Sequence, residues 1–145
     1  MGAPTLLEQG TSLPPVILAP LTAERVAAYA LASGDTNPIH LDAEIARRAG
    51  FSAPLVHGML LAALIGEAAR RWAVEGRIIG QRTQFLAPVT IGEAVAVTAR
   101  VVKSTVSAGE QHAILRAMLT RDDGKPAAMA EIDIVRGPAV DGSAP

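Results

Sequence analysis

Residues 33 to 42 read SGDTNPIHLD, which crowds Asp35, Asn37, His40 and Asp42 around one proline in a chain that is 50% hydrophobic. A carboxylate and an imidazole five residues apart are side chains suited to moving protons near neutral pH. Pro38 disfavours helical geometry at Asn37, so the spacing allows both side chains to turn toward one water. One group could then take a proton from that water while the other returns a proton to a substrate carbon. Taken alone, Asp35 and Asn37 are most often turn and cap formers. His40, Asp42 and His57 also make a two-histidine, one-carboxylate set that could hold a divalent metal, which metal analysis and activity in a chelator would distinguish.

These residues must be held by the elements on either side. LTAERVAAYALAS, from Leu21, offers Thr22 as an N-cap and places Val26, Tyr29 and Ala30 at helical spacing, so a helix of about three turns delivers the chain to Gly34. Asp42 can cap a short helix, AEIARRA, with Gly50 beyond it where a left-handed residue is wanted. From Gly58 to about Val74 the run GMLLAALIGEAARRWAV is apolar on nearly all sides in its first half, the pattern of a buried helix. Beyond it the period changes to two. Ala113, Leu115, Ala117 and Leu119 share one strand face, as do Val95, Val97, Ala99 and Val101, and Ala128, Ala130, Ile132 and Ile134. RIIGQRTQFLAP reads as a further strand, and PPVILAP as an edge strand that tolerates proline. The expected class is α+β: an antiparallel sheet of about five strands around one long buried helix, the hotdog arrangement.

SGDTNPIHLD, followed by APLVHGML and later by GQRTQFLAPVTIGEAV, resembles the MaoC-like or (R)-specific enoyl-CoA hydratase family. The likeness runs from about residue 22 to 103. Its core is G-D-x-N-P-x-H, with H-G-M beginning 17 residues after His40. The resemblance implies reversible hydration of a trans-2-enoyl thioester, carried by CoA or acyl carrier protein, to the (R)-3-hydroxyacyl thioester. It also implies a homodimeric hotdog, no cofactor, no metal, and Asp35 and His40 as the acid/base pair. It puts the Gly58 backbone N–H at the substrate carbonyl. That role has its own logic, since free N–H groups and the positive end of the dipole favour an oxyanion where a helix starts. Asn37, His57, Met59 and Leu60 complete the substrate-side set. Asn37 would brace the loop, His57 would cap or brace the helix start, and Met59, Leu60, Ala63 and Leu64 would wall the acyl pocket. One departure is visible: Gly92-Glu93 stands where the family commonly has Gly-Asp, and only a local change is expected there.

Other activities remain on the table. The same fold serves (3R)-hydroxyacyl-ACP dehydratase subunits, thioesterases and non-catalytic partner subunits, although a thioesterase leaves Asn37-Pro38 and His40 unexplained. With 13 basic and 14 acidic residues scattered along 145, the net charge of -1 gives no footprint for nucleic acid. The most apolar run, Met59 to Gly66, is far short of the roughly 20 residues of a membrane helix. The absence of cysteine suits a reducing cytoplasm, and the first residues match neither a signal peptide nor a myristoylation pattern. Residues 1–13 and 137–145 are expected to be flexible, with one hotdog domain over 14–136. Arg82, Gln84 and His112 read as surface residues, and Arg70 and Arg71 as partners of the long helix's C-terminal dipole.

Overall fold

The computed structural model describes residues 7–137. Its elements in chain order are β1 (Ser12–Leu18), α1 (Ala23–Ser33), a single 3-10 turn (Pro38–His40), α2 (Ala43–Arg48), α3 (Gly58–Trp72), β2 (Arg77–Phe85), β3 (Val95–Ser107), β4 (Glu110–Arg121) and β5 (Pro126–Arg136). The five strands form one antiparallel sheet in the order β1-β3-β4-β5-β2. The sheet and helix match the expected α+β hotdog. No described helix is long and apolar enough to cross a membrane.

Side-chain alternation builds the core. Val95, Val97, Ala99 and Val101 of β3, Ala113, Leu115, Ala117 and Leu119 of β4, and Ala128, Ala130, Ile132 and Ile134 of β5 are all buried on one face. Leu60, Leu61, Leu64, Ile65, Ala68 and Ala69 of α3 belong to the same apolar cluster. The opposite face of α3 is left open at Met59, which is 64% exposed. The all-apolar sequence had suggested burial on every side; the structure instead buries one stripe and presents the other to a groove. α3 stops at Trp72, and the turn that follows holds Glu75 at φ 61°. The Trp72 indole N–H donates to the Pro14 carbonyl at 2.8 Å, tying the far end of α3 to β1.

The caps fall where side-chain chemistry wants them. The Thr22 hydroxyl accepts from the Arg25 N–H at 3.1 Å, and α1 ends on Gly34 at φ 79°, a conformation that costs glycine nothing. That left-handed exit turns the chain abruptly toward Asp35.

At the start of the chain the expected flexible stretch of 1–13 is corrected for residues 7–13. Leu7 is buried in the core, with its N–H and carbonyl both bonded to the Gln111 side chain. The Gly10 N–H donates to the Val101 carbonyl at 2.8 Å, and β1 begins at Ser12. These bonds are long-range, so no local period announces them. The remainder of that expectation, residues 1–6, and the expected tail beyond Gly137 lie outside the described residues.

Candidate active site

The loop after α1 is a chain of small side-chain-to-backbone turns. The Ser33 hydroxyl accepts from the Asp35 N–H, Asp35 Oδ1 from the Asn37 N–H, and Asn37 Oδ1 from the Ile39 N–H. Each of these reaches two residues ahead, which is why Ser, Asp and Asn alternate here. Pro38 then opens the 3-10 turn that ends on His40. Asn37 is thus committed to bracing the loop, and its carbonyl oxygen is occupied by its own turn.

A second segment closes over this loop. The Leu55 N–H donates to the Ile39 carbonyl, the Val56 N–H to the Val89 carbonyl, and the Ile91 N–H to the Pro54 carbonyl. The turn at 88–93 is itself clasped: Glu93 Oε2 accepts from both the N–H and the hydroxyl of Thr90, and Arg121 Nε lies 3.2 Å from Glu93 Oε1. The glutamate at this position therefore stiffens the turn that supports residues 54–57.

His40 Nδ1 lies 2.8 Å from the Leu55 carbonyl oxygen. A carbonyl can only accept, so Nδ1 carries the hydrogen and Nε2 of the neutral ring presents a lone pair. That Nε2 stands 3.7 Å from Asp35 Oδ2. The His40 side chain is 13% exposed and that of Asp35 52%, so the pair sits at the rim of the molecule with the carboxylate open to solvent. Two acceptors cannot bond to each other directly, so a donor shared between them is needed to join the pair.

His57 lies behind the pair. It is 1% exposed, its ring stacks on His40 with centroids 3.8 Å apart and planes 24° from parallel, and its Nε2 lies 2.9 Å from the Asp35 carbonyl oxygen. Tyr29 covers it at 4.8 Å. The expectation that His57 faces substrate is corrected: it is enclosed by Tyr29 and His40. Nor does its side chain cap α3. Gly58 follows as the first residue of that helix, and the Gly58 and Met59 N–H groups have no acceptor among the described residues.

Beside this helix start a groove of about 480 Å³ is lined by Tyr29, Met59, Ala62, Ala63, Gln81, Thr83 and Phe85. Met59, Ala62 and Ala63 recur at helical spacing on the open face of α3, while Gln81, Thr83 and Phe85 alternate along β2. Leu60, expected on the pocket wall, is only 6% exposed and belongs to the core; Leu64, at 2%, does too. One step along a helix turns a side chain by about 100°, which separates Met59 from Leu60. Tyr29, Gln81, Thr83 and Phe85 were not anticipated as groove residues. The alternation along GQRTQF was the available signal. A larger groove of about 570 Å³, lined by residues of β1, β3 and β4, carries none of these proton-transfer groups.

The metal alternative does not survive this geometry. Asp42 is spent on capping α2, its Oδ1 accepting from the Glu44 and Ile45 N–H groups. Ligand atoms of Asp35, His40 and His57 do lie within 4.8 Å of one another. Imidazole lone pairs, however, lie in the ring plane, and two rings stacked 3.8 Å apart cannot both aim at one ion about 2.1 Å away.

The model of the MaoC like domain matches residues 8–121. This chain belongs to the MaoC-like domain family. One curated relative, the (R)-specific enoyl-CoA hydratase of Aeromonas caviae, is 44% identical over 75 residues, covering 50% of this chain and 56% of that protein. A mitochondrial 3-hydroxyacyl-[acyl-carrier-protein] dehydratase of Arabidopsis thaliana is 38% identical over 74 residues, covering 51% and 45%. The chain thus aligns with about half the length of these curated relatives. Over nearly its whole length it superposes on a solved structure, the (R)-hydratase from A. caviae involved in PHA biosynthesis, with a TM-score of 0.79 and 30% identity, covering 91% of this chain and 98% of that one.

Proposed function

We propose that this MaoC-like chain catalyses the reversible hydration of trans-2-enoyl thioesters to (R)-3-hydroxyacyl thioesters, with Asp35 and His40 as its acid/base pair. The observation that carries the reading is the pair of acceptors, Asp35 Oδ2 and His40 Nε2, held 3.7 Å apart by a ring whose other nitrogen is already committed. A water about 2.8 Å from each would donate one hydrogen to each and so be aligned for attack. As its oxygen adds to C3 of the enoyl thioester, one of the two groups takes a proton and the double-bond electrons move toward the thioester oxygen. The free N–H of Gly58, at a helix start, suits the negative charge developing there. Return of a proton to C2 completes the addition of water.

The groove beside Gly58 is the proposed seat of the acyl chain, with Met59 on its wall. The names of the two curated relatives support CoA or acyl carrier protein as the thioester arm. In the dehydratase direction the same groups act in reverse. The test is to follow crotonyl-CoA and longer enoyl-CoA substrates by loss of the conjugated absorbance, and to determine the chirality of the product. The (R)-3-hydroxyacyl product is expected. The (S) product, or release of free CoA thiol in place of hydration, would refute the assignment.

We further propose a homodimer and a cytoplasmic compartment. The dimer reading is supported by the two sheet edges. β1 carries Pro14 and Pro15, which discourage pairing. β2 has no proline and exposes Ile79 and Phe85. The cysteine-free composition suits a reducing compartment, and cell fractionation tests that placement.

A further inference from the structure

We propose that His57 is a positioning residue for the Asp35–His40 pair, acting as a neutral imidazole protonated at Nε2; this rests on the hydratase reading above. The loop that carries Asp35 has little else to hold it. Among the described residues, every other hydrogen bond made by residues 34 to 37 stays within four positions along the chain. The bond from His57 Nε2 to the Asp35 carbonyl, at 2.9 Å, crosses 22 positions and is the one that ties this stretch to another element. It grips the main chain of Asp35 and leaves the carboxylate free.

The ring serves a second purpose. Its face lies against His40 at 3.8 Å, so His40 is fixed by the Leu55 carbonyl at its edge and by His57 beneath its plane. His57 also immediately precedes Gly58, so one side chain ties together the carboxylate backbone, the catalytic imidazole and the helix start that offers the free N–H. A flat group with a donor at its rim meets these demands at once; an aliphatic side chain meets neither.

The tautomer follows from the partners. The Asp35 carbonyl accepts, so Nε2 carries the hydrogen, and Nδ1 is then a buried lone pair that no described group donates to. A second proton, on Nδ1, would place a buried cation without an acceptor directly beneath His40, which must itself become positive when it takes a proton from water. The titratable groups facing His57 are Tyr29, His40 and Asp35. A neutral His57 offers the imidazolium an electron-rich face, whereas a charged one would repel it.

Two measurements test this. Nitrogen-detected NMR of the wild-type protein should show the neutral His57 ring as the Nε2–H tautomer, with Nδ1 bare. That readout needs no turnover, so it stands even if the hydratase assay fails. Finding the hydrogen on Nδ1 instead would overturn the proposal. In the hydratase assay, His57→Phe keeps a ring and loses the donor, while His57→Gln keeps an N–H at similar reach. His57→Phe is expected to fold and to lose roughly 100-fold in kcat with KM little changed, because a misplacement of about 1 Å can cost that much. His57→Gln should recover most of the loss. Full activity in a folded His57→Phe protein, or equal losses in both variants, would show that the Nε2–H bond is not what positions the pair.

Discussion

At the scale of single residues, the proposed site consists of two acceptors pointed at each other. Asp35→Asn and His40→Ala should each lower turnover by about 100- to 10,000-fold while leaving the fold intact, as circular dichroism would verify. If both act on one water, the double variant should be little worse than the more damaged single one, and multiplicative losses in steady-state kinetics would disprove the shared water. Gly58 is subject to a different constraint. A Cβ there would come within 3.3 Å of the Phe85 ring, an exposed side chain that can swing away. Gly58→Val should therefore fold but obstruct the thioester carbonyl, and near-normal turnover would remove the Gly58 N–H from the mechanism. The nearness of Asp35 to His40 and the helix start at Gly58 were legible in the sequence, because the first two share one loop and the third opens a recognisable helix. The actual place of His57 was not. Its contacts depend on the return of residues 54–57 across the loop, and sequence spacing carries no record of ring stacking.

At the scale of elements, α3 shows what an apolar run conceals. Gly58–Trp72 was legible as a helix, but a segment apolar all round does not say which stripe faces the sheet. The strands were easier, since alternation states both faces: the buried sets on β3 and β4 are those that a period of two singles out, and β5 adds Ala127 and Val135 to its own. Strand order was not legible, nor was the docking of Leu7, because both depend on pairings between distant positions. The two stripes of α3 should separate in mutagenesis. Leu60→Ala is expected to cost about 2–5 kcal/mol of stability by denaturant unfolding, as for other buried leucines. Met59→Ala should stay within about 0.5 kcal/mol and instead change activity toward longer acyl chains. If Met59 proved the costlier residue, the orientation of the helix would be wrong.

At the scale of the whole molecule, the sheet has one guarded edge and one open edge. Pairing of β2 with β2 of a second copy would cover Ile79 and bring two grooves close to the junction. Sedimentation at micromolar concentration should then give twice the mass of the 15.0 kDa chain, and Ile79→Lys should shift the equilibrium toward monomer. A wild-type monomer under those conditions would count against the edge-to-edge assembly. The guarded edge has a use of its own, through the bond between Trp72 and Pro14. The chain contains a single tryptophan, and its indole N–H is held by the strand that ends the sheet on the side of β1. All intrinsic indole fluorescence therefore originates at that seam. Emission should shift when the outermost strand peels from the end of α3, and little when a thioester enters the groove, where Tyr29 and Phe85 are the aromatic residues. The protein thus carries a built-in optical gauge of how its β1 edge frays, largely blind to substrate.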